Sequence, residues 1–130
     1  LALLGAELLV DTLNDGLVAS VPQEGETTYA TKVNPDELRL NWNLSSVEVL
    51  RRVRALRSFT MLGAQRLKVV QAEMHLDAVT LSPGQCDGAG CVGTHDGAVR
   101  LLMVQPEGKA VMDAAAWLRG RSGQESIQFS

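Results

Sequence analysis

The amino-acid sequence predicts a mainly β domain. The expected form is an open Greek-key barrel of the OB type with one interposed helix and a short C-terminal helix, preceded by a separate amphipathic helix. Three observations carry that expectation. Short β-like runs at Phe59 to Leu62, Arg66 to Glu73, Gly90 to Thr94 and Val99 to Gln105 are separated by Gly63, Ser82-Pro83-Gly84 and Asp96-Gly97. A single well-signalled helix is interposed just before these runs. The chain has 130 residues, 45% hydrophobic and 21% charged, which is ordinary for a globular protein with one core. An α+β sandwich fits the same pattern nearly as well.

Taken in order, Leu1 to Leu17 is expected to be helical, because Leu4, Leu8, Leu9 and Leu13 recur at helical spacing and Asn14-Asp15-Gly16 stops the pattern. Val21 to Thr28 is polar and non-periodic, with Pro22 and Gly25, and reads as a linker. Leu38 to Trp42 alternates apolar and polar as a half-buried strand does. Ser45-Ser46-Val47-Glu48 spells a capping box, so a helix is expected from Ser45 to about Arg57. At about 100° per residue, Val49, Leu50, Val53 and Leu56 form its apolar stripe. Arg51 and Arg54 share the opposite face, and Arg52 and Arg57 flank the stripe. After the strands, Asp113 is the expected cap of a last helix through Trp117 and Leu118, closed by Gly120. Residues 121–130 read as a frayed polar tail.

Charge narrows the function. The formal net charge is −3, which taken alone disfavours an anionic partner. The distribution reverses that conclusion locally. Residues 1–31 hold five acids and no Lys or Arg, whereas residues 32–72 hold eight bases against three acids. Such asymmetry points to an anionic partner for the basic segment, although solvated faces produce similar clusters. No apolar run approaches the roughly 18 residues that cross a bilayer, so a membrane partner is not expected. Leu1 to Val10 lacks a basic flank and is interrupted by Glu7, with Asp11 just after it, unlike a signal peptide. The absence of an initiator Met suggests a fragment.

Several motifs invite a sharper reading. Gly88-Ala89-Gly90-Cys91-Val92-Gly93 spells GxGxxG, but a strand and a hairpin follow it where dinucleotide binding needs a helix. Cys86 and Cys91 lie near His75 and His95 and suggest zinc, yet four residues separate the cysteines, at the outer limit of a metal knuckle. Reduced thiols in a loop are the expected state. His75, Asp77 and Ser82 are close in sequence without any signal of mutual orientation, and His95-Asp96 sits at a hairpin tip. No catalytic, cofactor-binding or metal residue is assigned. The strongest feature is the basic set on the capping-box helix, which suits phosphate contacts. With one Tyr and two Phe, base-stacking platforms are scarce, which favours recognition of duplex shape and phosphates. Trp42 and Trp117 are expected in the core.

An ordered set of segments also carries a resemblance. Thr28-Tyr29-Ala30-Thr31-Lys32, Leu40-Asn41-Trp42, Val53-Arg54-Ala55-Leu56 and Arg66-Leu67-Lys68-Val69 come first. They are followed by Ser82-Pro83-Gly84, Asp96-Gly97, the run Leu101 to Lys109 and the run Met112 to Gly120. Together these resemble the C-terminal domain of methionyl-tRNA formyltransferases. The resemblance implies residues 1–21 as the last helix of a missing N-terminal formyltransferase domain, 22–31 as linker, 32–120 as an OB-like tRNA-binding domain and 121–130 as tail. It implies an enzyme whose N-terminal domain uses 10-formyltetrahydrofolate to formylate methionyl initiator tRNA in the cytoplasm. No cofactor and no catalytic residue fall to this fragment. By matching position, Lys32, Arg51, Arg52, Arg54, Arg57, Lys68 and Lys109 are the expected tRNA contacts. The rivals are the C-terminal domain of another folate-dependent formyltransferase or hydrolase, and a non-enzymatic binding barrel. One departure stands out: the family's Pro-rich loop with Gly-Ala-Trp is missing where Arg57 runs directly into Ser58-Phe59-Thr60.

Overall fold

The computed structural model describes residues 1–17, 19–77, 80–121 and 127–130. The chain divides into two compact units, Leu1–Thr31 and Lys32–Ser130. In the first, helix α1 spans Ala2–Asp15. Its apolar stripe is bare: Leu4, Leu8 and Leu13 are 66%, 68% and 73% exposed. No helix or strand is found among the described residues that follow it in this unit.

The second unit is a mainly antiparallel, nearly closed β-barrel. It opens with a 3₁₀ helix, Pro35–Leu38, and helix α2, Ser46–Ala55. Strands β1 (Phe59–Leu62), β2 (Gln65–His75), β3 (Gln85–Cys86), β4 (Cys91–Gly93), β5 (Ala98–Pro106) and β6 (Met112–Asp113) follow. Helix α3 (Ala114–Arg119) and strand β7 (Ile127–Gln128) complete it. The sheet order is β1-β2-β5-β4-β3-β7, with β6 beside β5. β2 and β5 form the long central ladder, from Leu67↔Pro106 to His75↔Ala98, with register shifts between Val69 and Ala72. A bulge there increases twist, and a curling sheet needs twist to close. Closure itself comes from the chain end. β7 pairs with β3, and Ser130 exchanges two 3.0 Å backbone hydrogen bonds with Met61 of β1.

The core follows from the alternation. Leu67, Val69, Val99, Leu101 and Val104 point inward from β2 and β5, and Val49, Leu50 and Val53 join them from α2. Phe129 sits in the middle of an aromatic stack, with ring centroids 5.9 Å from Trp42 and 6.3 Å from Trp117. Gly84 makes this packing feasible. Its φ is +79°, and any Cβ there would run into the carbonyl oxygen of Phe129.

Three sequence expectations are corrected. Leu38 to Trp42 alternates in burial but is no strand: Leu38 ends the 3₁₀ helix, Trp42 enters a turn, and pairing is limited to a bridge between Arg39 and Phe59 and the bond from Leu40 N–H to the Phe59 carbonyl. Asn34 and Pro35 start that 3₁₀ helix, and the Asn34 side chain accepts from the Asp36 N–H at 3.1 Å. The basic helix stops at Ala55, not Arg57, where the Arg52 carbonyl accepts both the Leu56 N–H and the Ser58 hydroxyl at 2.9 Å. The tail is not frayed at its end, since Ile127 and Phe129 are core residues; residues 122–126 lie outside the described part. The two-residue strands β3, β6 and β7 left no periodic trace to read.

Candidate nucleic-acid interface

The basic helix is held by two sets of contacts. Ser45 is its N-cap, and its hydroxyl accepts from the Glu48 N–H at 3.3 Å. The second set comes from the β4–β5 hairpin. Asp96 Oδ1 accepts from the Ser46 N–H at 2.7 Å, and the Ser46 hydroxyl meets the Thr94 hydroxyl at 2.7 Å. The His95 N–H donates to the Leu44 carbonyl at 3.0 Å. A carboxylate at a helix N-terminus satisfies an orphan donor and complements the dipole. The Ser46 backbone bond is the main cause holding the Asp96 carboxyl below its ordinary pKa, with the Ser46 and Thr94 hydroxyls assisting. With this end fixed and Val49, Leu50 and Val53 buried, the opposite side of α2 stays in solvent.

The predicted contacts fall into different situations. Arg51 is exposed but lies 3.5 Å from Glu48. Arg52 is half-buried, 4.0 Å from Glu48, and reaches the Glu37 carbonyl at 3.5 Å, so it braces α2 against the 3₁₀ turn. Arg54 and Arg57 are exposed and form no ion pair among the described residues. Lys68 is half-buried on β2, opposite Gln105 of β5. Gln105 Nε2 donates to the Lys109 carbonyl at 3.0 Å, which ties the exposed Lys109 turn to the same region. Lys32 is exposed, and no hydrogen bond or ion pair links it to the others. The set is therefore one cluster on α2 and its exit, a second around β2 and the β5–β6 turn, and an isolated lysine.

Two cations outside the predicted set belong with the second cluster. Arg66 is exposed on β2, its guanidinium 3.6 Å from the centroid of the Phe59 ring. Arg121 lies 4.8 Å from the Trp117 centroid and donates to Gln65 Oε1 at 2.8 Å. The period-two spacing of Arg66 and Lys68 was a usable signal for the first. Arg121 had none, because it sits where the sequence reads as tail.

The other motifs resolve into structure. Gly88 and Gly90 lie in the β3–β4 turn, where the Asp87 carboxylate already accepts the N–H groups of Ala89 at 2.9 Å and Cys91 at 2.8 Å. A carboxylate in that position would repel a phosphate. Cys86 and Cys91 are free and buried, and burial, then Asp87 and Cys91, push the Cys86 thiol up to about 12. Among the described residues no three His, Cys, Asp or Glu side chains are grouped to hold a metal ion. His75 Nδ1 faces Arg100 at 3.3 Å and its Nε2 lies 4.0 Å from Asp77, with both ring nitrogens thus turned to these groups and no hydrogen bond to the Ser82 hydroxyl among the described residues. No described helix is long and apolar enough to cross a membrane.

Comparison with known proteins gives the barrel a lineage. The family described as "Formyl transferase, C-terminal domain" matches residues 32–122. Methionyl-tRNA formyltransferase of Clavibacter sepedonicus is 39% identical over 137 residues, covering 98% of this chain and 45% of the relative. That of Thermodesulfovibrio yellowstonii is 32% identical, covering 98% and 44%. That of Phenylobacterium zucineum is 37% identical over 142 residues, covering 100% and 46%. This chain thus spans under half the length of these relatives. The matched stretches also exceed its 130 residues, so the relatives carry residues that it lacks. Among solved structures, a variant of HypX from Aquifex aeolicus superposes with a TM-score of 0.62 at 17% identity, over 89% of this chain and 22% of that one, and shares the fold. The chain belongs to the formyl transferase C-terminal domain family.

Proposed function

We propose that this barrel is the tRNA-holding part of a cytoplasmic methionyl-tRNA formyltransferase acting in translation initiation. The observation that carries the proposal is that Arg54, on a helix anchored at its far end, and Arg57, just past the helix exit, form no ion pair among the described residues, with Lys68 and Lys109 on the same barrel unit. All twelve Lys and Arg of the chain lie in the barrel unit. Exposed guanidinium groups on a rigid element suit phosphate contacts that fix register and orientation. The chemistry would reside in an N-terminal domain, which takes the formyl group from 10-formyltetrahydrofolate. The bare leucine stripe of α1 supports reading that helix as part of that domain's packing surface. The barrel's share of catalysis is then positional. Gripping the tRNA body near a distant active site makes the transfer effectively unimolecular.

The test is salt-dependent binding of initiator tRNA to the chain, followed by kinetics in the full-length enzyme. R54Q with R57Q is expected to lower the slope of log K against log salt by about two. In formylation assays the pair should raise KM for tRNA and leave kcat near its original value. Wild-type slope and unchanged KM would remove the proposal.

A further inference from the structure

We infer that a second phosphate site, in which Arg66 and Arg121 join the already expected Lys109, lies in the cleft between the β1–β2 turn, the β5–β6 turn and α3. The inference rests on the tRNA-holding reading and names where an RNA strand would continue beyond α2. The cleft measures about 590 Å³. Arg66, Lys109 and Arg121 line it against a single carboxylate, Glu107, and none of the three makes an ion pair among the described residues. Both guanidinium groups are laid against aromatic rings, Arg66 on Phe59 and Arg121 on Trp117, and Gln65 pins the second. Such stacking leaves donors free around the guanidinium edge while removing much of the side chain's freedom, which favours forked contact with phosphate.

Continuity selects a nucleic-acid strand over a lone anion. Arg66 and Lys68 alternate with the buried Leu67 and Val69, so they share the outer face of β2. Two residues along a strand advance about 7 Å, close to the spacing of neighbouring phosphates along one strand. Arg57 lies two residues before Phe59, the strand partner of Lys68. The exit of α2, the outer face of β2 and the cleft thus follow one another in the fold, an order of cations that suits contact with a phosphodiester backbone. The inferred occupant is RNA backbone phosphate.

The test uses the ¹⁵N-labelled full chain titrated with initiator tRNA. The Trp117 indole reports on the cleft, and the Trp42 indole, bonded to Thr60 Oγ1 at 2.9 Å in the core, serves as internal reference. Addition of tRNA should move the first and not the second. R66Q with K109Q and R121Q should lower the salt slope by about two to three and weaken binding roughly tenfold per cation at low salt. E107Q should tighten binding about two- to threefold, a sign a merely structural role would not give. If the triple variant loses its dispersed spectrum, R66Q alone, at an exposed position of β2, decides, with a slope change of about one. The cleft reading is overturned if the cleft variants bind like wild type while R54Q with R57Q lose affinity, in which case the tRNA-holding function stands. It is also overturned if inorganic phosphate moves Trp117 and tRNA does not. Absence of any salt-sensitive tRNA binding removes both.

Discussion

Replacing Phe129 by Ala tests how the barrel is shut. The ring is 2% exposed and stacks against both tryptophans. Transfer of a buried Phe side chain stabilises by up to about 3 kcal/mol, and each aromatic pair adds roughly 0.5–1.5 kcal/mol. The expected loss for F129A is about 4 kcal/mol, inside the ~3–5 kcal/mol range for such truncations. That is near a thousandfold change in the folding equilibrium, or a Tm lower by roughly 16–32 °C at about 4–8 °C per kcal/mol. Urea unfolding followed by tryptophan emission is the natural assay, because both indoles flank the deleted ring. F129L should recover part of the loss, and L76A, at a side chain 90% exposed, should stay within about 0.5 kcal/mol of wild type. A loss for F129A below about 1 kcal/mol would mean that the chain end is not a stave of the barrel, and the closure described above would be wrong.

Other outcomes follow from the same contacts. G84A should destabilise by roughly 1–3 kcal/mol, because Ala resists φ near +79° and its Cβ meets the Phe129 carbonyl, and urea unfolding measures it. The Asp96 carboxyl is held below its ordinary value of 3.8, chiefly by the Ser46 N–H, so its stabilisation is complete above that value and is lost as pH falls through the lower folded value. The difference between wild type and D96N in urea midpoints should therefore be constant at neutral pH and shrink only below about pH 3.8. Cys86, buried with a thiol near 12, should resist iodoacetamide at pH 8 in the native protein and react fully in denaturant, as read by mass spectrometry.

Much of this fold was legible because its signals are local. The Ser45 and Asp113 caps work within three residues, and both bonds are present, to Glu48 and Ala116. β1 matches its expected span, and β2, β4 and β5 overlap theirs; the long β2 and β5 alternate over several residues, while the short β4 is marked by the turns on either side of it. What was hidden depends on partners distant in sequence. Ile127 and Phe129 look unremarkable until β3 and the two tryptophans surround them. For the candidate site, counting charges found the basic region, but burial alone separates Arg52, which braces, from Arg54 and Arg57, which do not. Arg121 needed its ring and its Gln65 partner to be seen at all.

The way the ring shuts also sets a timetable. Thr60 and Ser130, bonded through the Thr60 hydroxyl at 3.3 Å, lie 70 positions apart. Contacts of such span are slow, because chain entropy must be surrendered before they repay it. The β2–β5 ladder and the hairpin under α2 span shorter separations and can assemble first. Until residues 127–130 arrive, β1 and β3 each present an unpaired edge, the kind of surface on which nascent chains stick to one another. Residues 127–130 therefore guard two edges at once, and a substitution that keeps them from docking leaves both open to other chains.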